Sequence, residues 1–164
     1  MQPSNRLSFL SSVDDTTKIT LGVGILVFDH GRVLLEKRED CGLWVCPGGR
    51  MRPGENVKET ALWELKEETN IDAKIEGLLG VYSDPKYGSV RKYNDDDFSQ
   101  QIIDIMFHAS PLSFDIKKSD ESLDVKFLDL DNLPENITPT IKNVLQDYKD
   151  KQDDSAIVKW VLIP

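Results

Sequence analysis

Short runs of apolar residues, separated by polar turns, make up the first part of the chain. Lys18 to Phe28 is rich in Ile, Leu and Val, residues 29–31 have turn composition, and Arg32 to Glu36 resumes the apolar run. Two such runs around a tight turn predict a β-hairpin. Leu43 to Cys46 predicts a further short strand, and the two glycines that soon follow it predict a loop that turns back.

The pattern becomes helical after residue 54. Asn56 fits an N-cap, because Glu59 lies three residues further on, as in a capping box. From Asn56 to Thr69 the apolar residues recur at helical spacing, at Val57, Ala61, Leu62 and Leu65. The spacing predicts a helix over 56–69.

The second half of the chain predicts more strands and one more helix. The strands are expected at Ile71 to Tyr82, Gln101 to His108 and Leu123 to Leu130, and the helix at Pro139 to Tyr148. The polar residues 83–100 predict a mobile loop that is long enough to carry a function. The apolar residues 156–163 predict either an added strand or a docking or oligomerisation segment. Strands first, then a helix, then mixed strands favour an α+β fold or an α/β/α sandwich.

Composition narrows the class of protein. The chain has 164 residues, a length that fits one domain, and 29 acidic against 20 basic side chains give a net charge of −9. This balance argues against binding of a nucleic acid polymer or of an anionic membrane surface. No apolar stretch approaches a membrane span, and the two cysteines have no ligand pair at zinc spacing. We therefore expect a cytoplasmic protein.

Three glutamates on the predicted 56–69 helix point to a cation. At about 100° per residue, Glu64, Glu67 and Glu68 share one face, and Glu68 falls inside the apolar sector. Carboxylates without nearby His or Cys suit magnesium or manganese, and magnesium in turn suggests a phosphate substrate. The alternative is a solvated helix edge neutralised by Lys58 and Lys66.

The segment from Gly49 to Ile71 resembles the signature of the Nudix hydrolase family. That signature reads Gly, five residues, Glu, seven residues, Arg-Glu, an aliphatic residue, any residue, Glu-Glu, any residue, Gly and an aliphatic residue. Seven of its nine specified positions match here: Gly49, Glu55, Glu64, Leu65, Glu67, Glu68 and Ile71. Trp63 replaces the Arg and Asn70 replaces the Gly. Asn is the next best residue for a left-handed helix C-cap, whereas an indole has no charge and only one donor.

The resemblance extends over most of the chain. The flanks of the signature also look like family members, at Leu43-Trp44, Lys37-Arg38, Val81 to Pro85, Phe127 to Asp129 and Leu133-Pro134. It implies a Nudix-like α/β/α sandwich with a mixed central sheet. The expected organisation is an N-terminal segment at 1–17, the domain at 18–150 and a C-terminal extension at 151–164.

The resemblance also implies an activity. Family members hydrolyse a nucleoside diphosphate linked to another moiety, such as ADP-ribose, a nucleotide sugar, a dinucleotide or a nucleoside triphosphate, with Mg²⁺ or Mn²⁺ as cofactor. Glu64, Glu67 and Glu68 are the expected metal ligands and catalytic residues, and Glu64 is the leading candidate for the base. Glu55 is an expected accessory carboxylate. The backbone of Gly48 and Gly49 is expected to approach the metal or the phosphate.

Other residues are weaker candidates for the site. A later-loop ligand is expected from Glu121 or from the Asp tract at 95–97, although exposed loop acids are common. Arg38 contacts phosphate or forms a surface salt bridge. Tyr82, and with it Tyr87 and Tyr93, stacks on a base or packs in the core. His108 is expected to be structural and His30 a turn residue.

Three classes of function are compatible with this sequence. The leading hypothesis is a metal-dependent pyrophosphohydrolase. The replacement of Arg by Trp63 motivates a second, in which a catalytically weak or inactive Nudix-fold module binds or senses a nucleotide. In the third, the acidic helix only contacts a partner. The expected partner in the first two is a small nucleotide-type molecule, and a homodimer is compatible with all three.

Overall fold

The computed structural model describes residues 7–10, 12–94 and 96–153. In chain order the strands are β1 Leu7–Leu10, β2 Lys18–Asp29, β3 Arg32–Arg38, β4 Trp44–Val45, β5 Gly48–Arg50, β6 Ala73–Tyr82, β7 Val90–Tyr93, β8 Gln100–Pro111 and β9 Ser122–Asp129. The helices are α1 Val57–Thr69 and α2 Pro139–Asp153, with a 3₁₀ turn at Pro85–Tyr87. No helix in these ranges is both long and apolar enough to cross a membrane.

One long parallel pairing organises a mixed sheet. Strand β2 runs parallel to β8 over ten residue pairs, from Lys18 with Gln100 to Val27 with Ala109. The neighbouring pairings are antiparallel, including β2 with β5, β6 with β8 and β3 with β9. The predicted hairpin joins β2 to β3, and His30 and Gly31 form its turn with positive φ angles. His30 is therefore a turn residue, as predicted.

The two helices cover opposite faces of this sheet. Alternate residues of β2 point to opposite sides, so that Ile25 packs with Leu65 of α1 whereas Leu26 packs with Val144 of α2. Each face has its own buried apolar cluster, one under each helix. The predicted α/β/α sandwich with a mixed central sheet is confirmed. Half-buried His108 lies on the α2 side against Tyr148, in the structural role that was expected.

The predicted loop at 83–100 was partly wrong. It contains the turn Pro85–Tyr87 and strand β7, which pairs with both β8 and β1. Strand β1, in the segment placed before the domain, is joined to the sheet in this way. Both strands have only four residues, and their pairing comes from distant parts of the chain. The apolar residues 156–163 lie outside the described residues.

Candidate active site

The loop before α1 is fastened to the first turn of that helix. Asn56 caps the helix, and its side chain accepts hydrogen bonds from two backbone N–H groups of the first turn. Glu55 Oε2 accepts from the backbone N–H of Arg52 at 2.9 Å and from Thr60 Oγ1 at 3.1 Å. The N–H of Arg52 lowers the pKa of Glu55. The expected accessory carboxylate thus holds the loop in this structure.

Glu68, on α1, has a buried carboxyl group next to the first residue of β5. Its side chain lies in the apolar sector of α1, as the sequence pattern predicted, and only 8% of the residue is exposed. Glu68 Oε2 accepts a hydrogen bond from the backbone N–H of Gly48 at 2.8 Å. Burial, together with the nearby carboxyl of Glu36, raises the pKa of Glu68 to about 9. Without a bound cation, these surroundings therefore favour the protonated form of Glu68.

Glu36 is a site residue that the sequence analysis missed. It lies on β3 with 2% exposure, and its side chain is hydrogen-bonded to Glu68 and to Ser122, whose Oγ donates to Glu36 Oε2 at 2.5 Å. Burial raises the pKa of Glu36 as well. The alternation of side chains along β3 indicates which face Glu36 occupies, because Leu34, two residues away, packs on the α1 side.

Glu64 lies against the backbone of Gly49. A Cβ on Gly49 would overlap the carboxylate of Glu64, so the glycine leaves the space that this side chain fills. Burial raises the pKa of Glu64, and the neighbouring Glu67 adds to this effect whereas Arg52 opposes it. Glu121, on the loop before β9, also acts electrostatically on Glu64. We refer to the carboxylates that act on one another in this region as the acidic cluster, which comprises Glu36, Glu64, Glu67, Glu68 and Glu121.

Trp63 contacts one of the predicted catalytic glutamates directly. Its indole Nε1 donates a hydrogen bond to Glu67 Oε2 at 3.1 Å, one turn along α1. The ring is otherwise in solvent, with 68% exposure. The departure from the family signature therefore keeps a donor beside Glu67 but supplies no charge.

The acidic cluster fits a divalent cation by ligand type. Its groups are carboxylates, which are the hard oxygen ligands that magnesium and manganese prefer, and buried like charges need a cation to stay ionised together. In this conformation no three His, Cys, Asp or Glu side chains among the described residues converge on one ion. The carboxylates that would hold a cation are Glu64, Glu67 and Glu68.

A cavity of about 120 Å³ borders the other side of β5. Gly48 and Gly49 line it together with Arg38, Arg50 and Arg91. Three arginines thus line the cavity beside the glycines of β5.

The guanidinium of Arg38 is held in place at this cavity by Asp40. It donates to both carboxylate oxygens of Asp40, at 2.9 and 2.7 Å. Arg38 thus lines the cavity and also forms a salt bridge, so both predicted roles are compatible with its place.

The other sequence candidates lie in different places. Tyr93 lines the same cavity. Tyr82 and Tyr87 line a second cavity beside α2, and the structure does not bring them to the glycines of β5. Asp96 accepts a hydrogen bond from Gln100 Nε2 at 3.2 Å, and Asp95 lies outside the described residues.

Comparisons with known proteins identify relatives of this chain. The model of the NUDIX domain matches residues 18–148. An ADP-ribose pyrophosphatase of Methanocaldococcus jannaschii is 34% identical over 128 residues, which cover 76% of this chain and 69% of that protein. A putative 8-oxo-dGTP diphosphatase of Bacillus subtilis is 30% identical over 142 residues, which cover 85% and 87%.

Solved structures show the same fold. The crystal structure of a MutT protein from Methanosarcina mazei Go1 superposes with a TM-score of 0.71 at 20% identity, over 86% of this chain and all of that one. The resemblance stated from the signature is therefore confirmed. Because the family model covers most of the chain, the chain belongs to the Nudix family of hydrolases, which act on phosphoric anhydride bonds.

Proposed function

We propose that this chain is a pyrophosphohydrolase that cleaves a nucleoside diphosphate linked to another moiety, with Mg²⁺ as its cofactor and Mn²⁺ as a substitute. The observation that carries the proposal is the position of β5. Its glycines have the carboxylates of α1 on one side and the arginine-lined cavity on the other. A cation and a diphosphate would thus meet across a two-residue stretch of backbone.

Each group of the cluster has a distinct task in this proposal. Glu64, Glu67 and Glu68 hold the cation, with the backbone of Gly48 beside them. A bound divalent cation neutralises the diphosphate and favours ionisation of the attacking water. Glu64 accepts the proton of that water, a role that its burial-raised pKa suits. Glu36 positions Glu68 through the hydrogen bond between their side chains.

Two arginines of the cavity, Arg38 and Arg50, bind the diphosphate. Guanidinium groups form paired, charge-assisted hydrogen bonds with phosphate oxygens. Arg38 keeps a fixed orientation because Asp40 holds two of its nitrogens. Its N–H groups not directed at Asp40 remain as donors for phosphate.

The test is turnover of a panel of compounds by the purified chain. The panel contains ADP-ribose, a nucleotide sugar, a dinucleotide, dGTP and 8-oxo-dGTP, each with Mg²⁺, with Mn²⁺ and with chelator. We expect cleavage that requires metal and that Glu67→Gln abolishes. Glu59→Gln is the matched control, since it removes an exposed carboxylate from the first turn of the same helix. Cleavage that Glu67→Gln retains in full would contradict these roles.

Trp63 favours a second candidate function, a module that binds a nucleotide without turnover. The indole gives Glu67 one neutral donor where the signature has a charged group with five. Saturable binding of ADP-ribose, without cleavage at any concentration of either metal, would establish this function instead of hydrolysis.

A further inference from the structure

The cavity beside β5 also contains a buried carboxyl group. Asp104 on β8 is the parallel partner of Gly22 on β2, and both face the α2 side of the sheet. A Cβ on Gly22 would overlap Asp104 Oδ1, so the carboxyl group occupies the space that the missing side chain leaves. The missing side chain of Gly22 thus leaves room for a carboxyl group on the α2 side of the sheet.

This carboxyl group has acceptor capacity to spare. Asp104 is 9% exposed, and its Oδ2 accepts a hydrogen bond from Arg91 Nη2 at 3.0 Å. Among the described residues no donor is found for Oδ1. A carboxylate can accept about four hydrogen bonds, so this one has acceptor sites left. Asp104 lines the cavity, so a ligand there can donate a hydrogen bond to Oδ1.

Arg91 has donors to spare beside the same carboxyl group. Its Nε donates to the carbonyl of Gly88 at 3.4 Å and its Nη2 to Asp104, out of five N–H groups in all. Its guanidinium lies 6.0 Å from the centroid of the Phe9 ring, which also lines the cavity. The cavity thus presents an acceptor and a donor of the same ion pair, together with apolar groups that include Phe9 and Ile102.

We propose that Asp104 and Arg91 determine specificity by binding the edge of a substrate nucleobase that carries an exocyclic amino group. The amino N–H donates to Asp104 Oδ1, and Arg91 donates to the adjacent ring nitrogen. The apolar walls suit a flat ring better than a ribose. This inference rests on the proposed function only in taking the ligand to be a nucleotide.

The test compares two ligands that differ by one amino group. ADP-ribose and its analogue with unsubstituted purine in place of adenine are titrated into the chain by calorimetry, with chelator present so that neither is cleaved. We expect the wild type to bind ADP-ribose about tenfold more tightly, since the analogue leaves Oδ1 unpaired.

Asp104→Asn then reverses the polarity of the site. Arginine has only donors, so the new amide turns its oxygen toward Arg91 and its NH₂ group toward the cavity. We expect the preference for ADP-ribose to disappear or to invert in favour of the analogue. Asp72→Asn is the matched control, because it removes a paired carboxylate that is exposed and distant from the cavity.

Three results would overturn the inference. They are equal affinities of the wild type for the two ligands, no binding of either, and an equal loss for both in Asp104→Asn, which would place the shared ribose at this carboxylate. The wild-type comparison needs no variant and decides even if Asp104→Asn fails to fold. Turnover with Mg²⁺ is measured separately, so a preference in binding without cleavage would sink the hydrolase proposal and leave this one standing.

Discussion

The indole N–H of Trp63 is hydrogen-bonded to the carboxylate of Glu67 across one turn of α1. Because Trp63 stands where the family signature has Arg, substitutions at this position can measure what the hydrogen bond contributes. Residues that orient metal ligands contribute to metal affinity even when they do not touch the metal. Variants of Trp63 therefore test how well one neutral donor orients Glu67, a proposed metal ligand.

Two replacements of Trp63 should act in opposite directions, one by lowering the affinity for Mg²⁺ and the other by raising turnover. Trp63→Phe keeps an aromatic ring but removes the donor, so we expect the apparent affinity for Mg²⁺ to fall about tenfold. Trp63→Arg supplies five donors and a charge, so we expect turnover to rise. Activity measured against Mg²⁺ concentration checks both. Unchanged or lower turnover of Trp63→Arg would mean that the indole has acquired another role, such as a contact with substrate.

The adjacent glycines of β5 should respond differently to alanine. A Cβ on Gly48 would overlap the backbone carbonyl of Val23, which cannot move aside without disturbing β2. We expect Gly48→Ala to lower the free energy of unfolding by about 2 kcal/mol. A Cβ on Gly49 meets only the flexible carboxylate of Glu64, so Gly49→Ala should keep most of its stability and lose activity. Denaturant titration and turnover together separate the two effects.

The stability of the metal-free protein should fall as pH rises. Burial next to Glu36 raises the pKa of Glu68 from its ordinary value of 4.5 to about 9 in the folded chain. Because the folded state binds this proton more tightly than the unfolded state, its contribution is complete below pH 4.5 and is lost as pH rises toward 9. Thermal unfolding in chelator across that interval measures the loss.

Glu36→Gln should reduce this pH dependence. The amide keeps an acceptor for Ser122 and offers a donor to ionised Glu68, so the pKa of Glu68 falls toward its ordinary value. Glu135→Gln, at an exposed position on a loop, is the control. A thermal-unfolding profile of Glu36→Gln that is as steep as that of the wild type would show that the two carboxyl groups do not interact.

The C-terminus of α1 gives a test of stability alone. Asn70 has a φ of 61°, and its Nδ2 donates to the carbonyl of Asp115 at 2.8 Å. Asn70→Ala should cost about 1–2 kcal/mol, because alanine strains in the left-handed region and loses the contact. Asn70→Gly, which restores the residue of the signature, should lie within about 0.5 kcal/mol of the wild type. Equal stability of the two variants would contradict this account.

Local patterns predicted the central elements well. The helical wheel placed Glu68 among apolar residues, and the side chain is indeed buried. The turn at residues 29–31 and the left-handed cap at Asn70 follow from backbone preferences that one or two residues determine. In each case the decisive physics lies within a few positions of the sequence.

The remaining features depend on distant parts of the chain. Strand β7 is short and polar, and it becomes a strand because β1 and β8 pair with its two edges. The alternation of side chains along β3 predicts which face of the sheet Glu36 occupies. Its contact with Glu68 also requires α1 to pack on that face. Asp104 and Arg91 meet only because β7 pairs with β8. No local pattern distinguishes such residues from ordinary strand positions.

Strands β1 and β7 form one wall of the cavity, at Leu7, Phe9, Arg91 and Tyr93. The carboxylates of the acidic cluster lie on α1, on β3 and on the loop before β9. This wall of the cavity and the carboxylates of the acidic cluster thus come from separate segments of the chain. We therefore expect mutations at residues 7–10 and 90–93 to alter substrate binding without changing the carboxylates of the acidic cluster.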